Sequence, residues 1–270
     1  MKQLMKVLIG GLAAFAAGAC GAFDWPAAGG TATIPAGSLV EVTSTADLTA
    51  ASKCGAIVVE TGATLSFTNI TASATFAGSF SGGGTVLAVC AAGGTPRLTF
   101  TGDLSGFTGP WSFRYVYATF NTPNSGTFPM TYVEENKTTV IFTGANTYSN
   151  PIDFNGGANQ GLQILGDATY AGAITWRGGS IRGVGQSVPS GGGTITGSIT
   201  CPNNSIYIQN GIKMLGEEIR RSSSGGSVLA DGGPLDLKAK IVNFTTLSSY
   251  RTTGLITFLA ENLEVLQNGA

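Results

Sequence analysis

Residues 144–154, GANTYSNPIDF, align without a gap on residues 166–176, GDATYAGAITW. Each copy follows a short apolar run, VIF at residues 140–142 and LQI at residues 162–164. The first copy starts at Gly144 and the second at Gly166, which defines a repeat of about 22 residues. A unit of this size, made from short strands and glycine turns, is too small to bury its own apolar side chains, so the repeat predicts units that stack on one another.

Stacking of such units would give a parallel β-helix, in which equivalent side chains of successive coils lie about 4.8 Å apart. The alignment then predicts three interior ladders, Tyr148 on Tyr170, Ile152 on Ile174 and Phe154 on Trp176. We therefore predict an all-β fold, a single-stranded right-handed parallel β-helix (solenoid) with about 22 residues per coil. An antiparallel sandwich or barrel, which also contains many short strands, is the alternative.

The same organisation extends along the chain, with short apolar runs separated by glycine, asparagine, serine and threonine. A looser copy, LTFTGDLSGFTGPWSF, occupies residues 98–113, so the clearest repeats fall within residues 98–176. Residues 212–221 are the one segment in which apolar side chains recur at spacings of three and four, which predicts a brief helix there.

Residues 1–22 have the pattern of a secretory signal peptide. Lys2 and Lys6 form a basic start, an apolar stretch covers residues 7–17, and the small residues AGA follow at 17–19. This predicts residues 1–22 as a signal peptide and residues 23–270 as the β-helix domain, with no transmembrane segment in the mature chain. A membrane anchor is the alternative. Cleavage after Ala19 would make Cys20 the first residue and a candidate for lipid modification.

Three cysteines remain in the predicted mature domain, Cys54, Cys90 and Cys201. Disulfides persist in exported proteins, and Cys54 with Cys90 is the pair nearest in sequence. The alternative is that all three are small buried side chains. No Cys-x-x-Cys spacing is present, so the cysteines do not indicate a zinc or redox site.

The amino-acid composition argues against several classes of function, namely nucleic-acid binding and histidine-based catalysis or metal binding. Charged residues make up 11% of the chain and the net charge is −1, with no basic block that could hold a phosphate backbone, so nucleic acid is not an expected partner. The chain has no histidine, which removes the commonest general base and a common metal ligand. We therefore expect no metal, no cofactor and no evident catalytic site.

The repeat carries a family resemblance. An apolar strand, then Gly-Asp, an aromatic residue, glycine and a second apolar strand, as in residues 98–113 and 162–176, resembles the autotransporter-associated β-strand repeat. Residues 34–42, IPAGSLVEV, and 58–65, VVETGATL, are similar to the first coils of such β-helices. The resemblance implies a β-helix and an exported, bacterial protein, and it implies no catalytic residue. The membrane domain that ends a full autotransporter has no counterpart in the sequence, so either a free exported β-helix or a part of a longer protein is expected.

The alternative to a non-catalytic β-helix is an enzyme with its active site on the outer face. Many right-handed β-helices cleave polysaccharides, and they use paired carboxylates or calcium beside a basic residue. In the register of the repeat Asp153 stacks on Thr175, which makes Asp153 and Arg177 diagonal neighbours. They are the best catalytic candidates, although a surface ion pair is the simpler interpretation. Three aromatic side chains would either form an exposed surface on which sugar rings stack or, as we favour, pack into the interior ladders of the core: Trp111, Phe113 and Trp176.

The sequence thus predicts an exported or cell-surface scaffold, adhesin-like, that makes weak contacts through a face rich in threonine, serine and asparagine. Surface glycans or other surface proteins are the expected partners, and the expected location is secreted or on the cell surface, with outer-membrane association as an option. The alternative is a carbohydrate-active β-helix, of polysaccharide lyase or glycosidase type, or a glycan-binding module.

Overall fold

The structure of the protein is a computed structural model, and it describes twelve stretches of the chain, residues 23–90, 95–132, 138–154, 161–178, 180–182, 192–202, 205–209, 211–231, 235–244, 246–250, 256–258 and 265–266. The predicted signal peptide, with Cys20, lies outside these stretches.

Within the described stretches the chain forms short strands and one helix. In chain order they are β1 (Thr31–Ile34), β2 (Leu39–Val42), α1 (Thr45–Ser52), β3 (Ala56–Val59), β4 (Thr64–Thr68), β5 (Ala74–Phe76), β6 (Ser79–Gly82), β7 (Thr85–Val89), β8 (Arg97–Phe100), β9 (Gly106–Phe107), β10 (Trp111–Arg114), β11 (Tyr117–Phe120), β12 (Met130–Tyr132), β13 (Thr139–Phe142), β14 (Thr147–Tyr148) and β15 (Ile152–Phe154). They continue as β16 (Gly161–Ile164), β17 (Thr169–Tyr170), β18 (Ile174–Trp176), β19 (Ser180–Arg182), β20 (Thr194–Ile195), β21 (Ile199–Cys201), β22 (Ile206–Gln209), β23 (Lys213–Met214), β24 (Glu218–Arg221), β25 (Ser227–Asp231), β26 (Leu235–Leu237), β27 (Lys240–Val242), β28 (Thr246–Tyr250), β29 (Ile256–Phe258) and β30 (Val265–Leu266).

The strands form four parallel sheets, which we call S1 to S4. S1 has the order β1-β3-β6-β9, S2 the order β2-β4-β7-β10-β12-β15-β18-β21-β24-β27-β30, S3 the order β28-β25-β22-β19-β16-β13-β11-β8-β5, and S4 the order β14-β17-β20-β23-β26-β29. The chain visits the sheets in rotation and advances by one strand at each visit. This is a parallel β-solenoid with coils about 22 residues apart, as predicted. The antiparallel sandwich or barrel is wrong, since the strand pairs of all four sheets are parallel.

The predicted interior ladders are present. Tyr148 pairs with Tyr170, and Ile152 and Phe154 pair with their counterparts one coil later. Along β10, β15 and β18 the side chains alternate between the interior and the outer face, and Tyr148, Tyr170 and Phe154 are fully buried. A second ladder runs along S3, where four phenylalanine rings stack at centroid distances of 5.2 to 5.4 Å: Phe76, Phe100, Phe120 and Phe142.

The first coil differs from the rest because helix α1 follows β2 at the place where later coils have a strand of S3. The Ser44 hydroxyl caps α1 by accepting a hydrogen bond from the Asp47 backbone N–H, and Leu48 and Ala51 are buried. Phe23 and Trp25 also pack against the core, with their rings edge to face at 4.7 Å. These groups cover the N-terminal end of the described solenoid.

The helix predicted at residues 212–221 is wrong, because this segment contains β23 and β24. Ile212 and Met214 are buried while Leu215 is 36% exposed. Burial here follows the period of two that is typical of a strand. The spacing of three and four that suggested a helix arises because the apolar residues belong to two different strands, β23 and β24, on two faces of the solenoid.

The solenoid has three faces: S2 forms the first, S3 the second, and S1 followed by S4 the third. On the third face S1 ends at β9 and S4 begins at β14. In the coil between these two strands, the segment on this face is residues 121–129, and it contributes no strand. Asn150 is fully buried here and donates hydrogen bonds to the backbone oxygens of Ser125, at 3.3 Å, and Phe128, at 3.1 Å. Thr122, also buried, donates to the Gly102 carbonyl at 2.6 Å. Side chains thus satisfy backbone groups where the ladder is interrupted.

Glycines stack at one corner of the later coils. A Cβ atom on Gly197 would overlap the Gly172 carbonyl oxygen, and one on Gly216 would overlap the Gly197 carbonyl oxygen. The backbones therefore meet directly at this corner, and a side chain at either position would push the coils apart.

Candidate functional site

The predicted pair of Asp153 and Arg177 meets on the outer face of S2. Asp153 pairs with Thr175 in the β15–β18 register, and Arg177 follows two residues later. Arg177 Nε donates to Asp153 Oδ1 at 2.7 Å and Nη2 donates to Oδ2 at 3.0 Å. The Arg177 side chain is 45% exposed and the Asp153 side chain is 42% exposed. The geometry is a bidentate ion pair between adjacent coils, open to solvent.

Both carboxylate oxygens of Asp153 accept hydrogen bonds from the same guanidinium, which is how a structural ion pair is made. These hydrogen bonds and the Asp153 charge raise the pKa of Arg177 above its ordinary value, so the cation persists at any physiological pH. A glycosidase would need a second carboxyl group on the other side of the glycosidic bond, protonated so that it can act as the general acid. The pair as it stands supplies a charge-neutral, rigid element of the surface.

A second bidentate pair lies farther along S2. Arg220 Nε and Nη2 donate to the two carboxylate oxygens of Glu218, each at 2.8 Å. The hydrogen bonds from Arg220 lower the pKa of Glu218 below its ordinary value. Among the described residues, no group of three or more Cys, Asp or Glu side chains is placed to hold a metal ion.

The three aromatic side chains considered as a carbohydrate platform are all interior. Trp111, Phe113 and Trp176 are each 0% exposed. The core interpretation is therefore confirmed, and the platform is wrong for these residues because strands β10 and β18 turn them inward.

The structure shows two cation–π pairs near the corner between S2 and S3 that sequence analysis did not find. The Arg97 guanidinium carbon lies 5.4 Å from the centre of the Tyr117 ring, and Arg114 lies 5.1 Å from the ring of Tyr115. Arg97 and Tyr117 are register partners on adjacent strands. Only the strand register brings them together, and the sequence supplied no register outside residues 140–176.

The three cysteines that the structure describes, Cys54, Cys90 and Cys201, are free and buried. Cys54 and Cys90 do not form the disulfide considered from sequence, and the alternative of small buried side chains describes them. Burial raises the pKa of Cys90 and Cys201 to about 12 and raises the pKa of Cys54 as well. These thiols stay protonated at neutral pH and are poor nucleophiles.

The outer face of S2 carries two regular columns of side chains, which together we call the outer strip. Asp153 of the ion pair belongs to one of these columns. The apolar column immediately precedes the strands and consists of Pro110, Pro129, Pro151 and Ala173, all exposed. The polar column lies two residues farther along each strand and consists of Ser112, Thr131, Asp153, Thr175 and Thr200.

Inward side chains separate the two columns of the outer strip on each coil. Trp111, Met130, Ile152 and Ile174 fill this position, and all are buried. The backbone confirms the stacking of the apolar column, since Trp111 N–H donates to the Pro129 carbonyl and Met130 N–H to the Pro151 carbonyl, at 2.9 and 2.8 Å. The outer strip was not predicted from the sequence, although each of its prolines directly precedes a strand.

No protein-family model matches this sequence, and no curated protein or solved structure matches it either. No helix in the described stretches is both long and apolar enough to cross a membrane.

Proposed function

We propose that this protein is an exported or cell-surface β-solenoid scaffold, adhesin-like, whose outer faces make many weak polar contacts with neighbouring surfaces. The observation that carries the proposal is the stacking of hydroxyl side chains on separate outer faces. Thr75, Thr99 and Thr119 are register partners on S3. A second set on S4 consists of Thr147, Thr169 and Thr194.

A row of outward hydroxyls suits a scaffold better than a single high-affinity site. Each hydroxyl exchanges hydrogen bonds with water, so the net gain from one contact is small. Repeated contacts along one rigid face act together, because each additional contact is made within an already formed complex. The solenoid supplies the repetition at about 4.8 Å per coil.

Export is supported by the sequence of residues 1–22 and by the resemblance of the repeat to autotransporter-associated strands. The test is expression of the full chain with a C-terminal tag in a bacterial host, followed by fractionation and N-terminal sequencing. The proposal expects tagged protein outside the cytoplasm that begins near Phe23, or at a lipid-bearing Cys20. A control chain with Lys2 and Lys6 unchanged but Leu8 and Leu12 replaced by Asp should stay in the cytoplasm. Unprocessed protein in the cytoplasm for both chains would contradict export.

Adhesion is tested separately with beads coated by the full chain. They should be retained on bacterial cells or isolated envelopes several-fold better than beads coated with the heat-unfolded chain. Equal retention would show that the folded outer faces do no binding, and the scaffold proposal would fail.

We propose a non-catalytic role because the carboxylate of Asp153, the best acid available, is held at both oxygens by Arg177. The test is release of reducing ends or unsaturated products from a broad panel of neutral and acidic polysaccharides. We expect none above background for the full chain. Turnover that disappears in both Asp153→Ala and Arg177→Ala would establish the enzyme instead.

A further inference from the structure

The outer strip combines two surfaces that a sugar chain can use at once. Its apolar column exposes three proline rings in register, followed by the methyl group of Ala173. Its polar column presents hydroxyls that both donate and accept hydrogen bonds. A sugar ring has the same division, with C–H groups on its faces and hydroxyls around its edge. We infer that the outer strip binds a neutral polysaccharide chain, an inference that rests on the proposed function and locates its contact surface.

The rings of the prolines are presented outward by the strand geometry. Because Trp111 and Met130 point into the core, the residues on either side of each point out. Proline has no backbone N–H, so at the first position of a strand it costs no ladder hydrogen bond. The ladder carbonyls of Pro129 and Pro151 are used nonetheless, which fixes both rings relative to the adjacent coil. A ligand therefore meets a rigid apolar ridge that loses little entropy on binding.

The electrostatics of the strip favour a neutral ligand. Asp153 is the acidic member of the strip, and its charge is neutralised by the bidentate pair with Arg177. The next acid along S2, Glu218, is paired in the same way with Arg220. An acidic polysaccharide or a nucleic acid would gain little from these two ion pairs, because each pair is already charge-compensated.

The size of the strip favours an extended polymer over a protein. Five coils at about 4.8 Å span about 20 Å, and the two columns make the strip about 10 Å wide. The resulting area, on the order of 200 Å², is far below the roughly 800 Å² that each partner contributes to a stable protein interface. A single polysaccharide chain laid along the columns fits these dimensions, and its length allows it to engage several protein copies in turn.

The test measures retention of the full-length protein by insoluble cellulose, chitin and β-1,3-glucan, and by soluble dextran in affinity electrophoresis. The strip variant is Thr131→Lys/Thr200→Lys, which places two long cations on the polar column. The matched control is Thr31→Lys/Thr33→Lys, which makes the same change at two exposed threonines of S1. Both variants must unfold at the same urea concentration as the unmodified chain, and acidic polysaccharides, alginate and pectate, are run in parallel.

We expect at least one neutral polysaccharide to retain the protein, with a loss of tenfold or more in the strip variant and less than twofold in the control. Equal retention of the two variants would place binding elsewhere and overturn the inference. Retention by acidic polysaccharides alone would overturn it too. If no polysaccharide binds while coated beads still adhere to cells, the strip inference fails and the scaffold proposal stands; if adhesion is also absent, both fail.

Discussion

The ring of Phe154 lies almost parallel to the indole of Trp176, with ring centroids 4.3 Å apart and planes inclined by 10°. The two residues occupy the same position of adjacent coils. Tyr132 extends the column by one coil, with its ring centroid 4.1 Å from that of Phe154. All three are buried, so the column joins three successive coils through the core and away from solvent.

Replacing Trp176 by Ala should destabilise the protein strongly. The substitution removes a fully buried aromatic side chain and leaves a cavity between coils, which costs about 3–5 kcal/mol. Urea unfolding measures the loss. The neighbouring Thr175→Ala, on the outer face, should change the free energy of unfolding by less than about 0.5 kcal/mol. Similar effects from both changes would contradict the inward placement of the tryptophan.

Asn150→Ala tests the place where the third face changes sheets. The substitution leaves the carbonyls of Ser125 and Phe128 without their donor, and burying such groups unsatisfied costs about 1–3 kcal/mol. The expected readout is a lower midpoint in urea. Thr127→Ala, an exposed change in the same segment, serves as the control and should be close to neutral. A neutral Asn150→Ala would show that this side chain does not support the interruption.

The Asp153–Arg177 pair should contribute little to stability despite its geometry. Both side chains are almost half exposed, and such pairs contribute about 0–1 kcal/mol. A double-mutant cycle with Asp153→Ala and Arg177→Ala measures the coupling. A value that falls as salt is raised is expected. Coupling well beyond that range would mean that the pair is shielded from water and would reopen the question of a site there.

Stability should fall in alkaline solution. Burial raises the pKa of Cys90 and Cys201 to about 12 in the folded protein, against 9.0 for a free thiol. Above pH 9 the unfolded chain loses these protons while the folded chain keeps them, so the free energy of unfolding decreases as pH rises from 9 towards 12. At pH 10 the loss is on the order of 1 kcal/mol for each thiol.

Urea unfolding at intervals between pH 7 and pH 11 checks this prediction. The midpoint should be level to about pH 8.5 and then decline. The variant Cys90→Ala/Cys201→Ala should be less stable throughout yet decline less steeply between pH 9 and pH 10. The decline that remains comes from Cys54 and from Tyr132, Tyr148 and Tyr170, whose pKa values burial also raises. An unchanged slope in the variant would show that the thiols are not protected by burial.

The sequence was most informative where coils have equal length. Between residues 144 and 176 the copies align without a gap, and the predicted pairs Tyr148–Tyr170 and Phe154–Trp176 are confirmed. Elsewhere the coils differ in length. Trp111 pairs with Met130 across a short coil, whereas Ser180 pairs with Tyr207 across a long one. A fixed period cannot predict contacts across such coils.

Three features of the structure depend on those unequal coils or on local context. Helix α1 replaces a strand in the first coil, and its two buried side chains give too weak a pattern to predict a helix. The pairing of Arg97 with Tyr117 and the alignment of Pro129 with Pro151 depend on a register that the sequence did not supply. The candidate ion pair was predictable because it lies at the end of the gapless repeat.

The most direct test of the solenoid as a stack of equivalent coils is deletion of residues 152–173. This removes one complete coil and joins Pro151 to Ile174, the register partner of Ile152. Circular dichroism should show a β spectrum and one cooperative thermal transition, since every remaining strand still meets a strand of its own sheet. Deletion of residues 152–162 moves strands onto the wrong faces and should abolish that transition. Loss of folding in the first variant, or equal folding in both, would contradict the account.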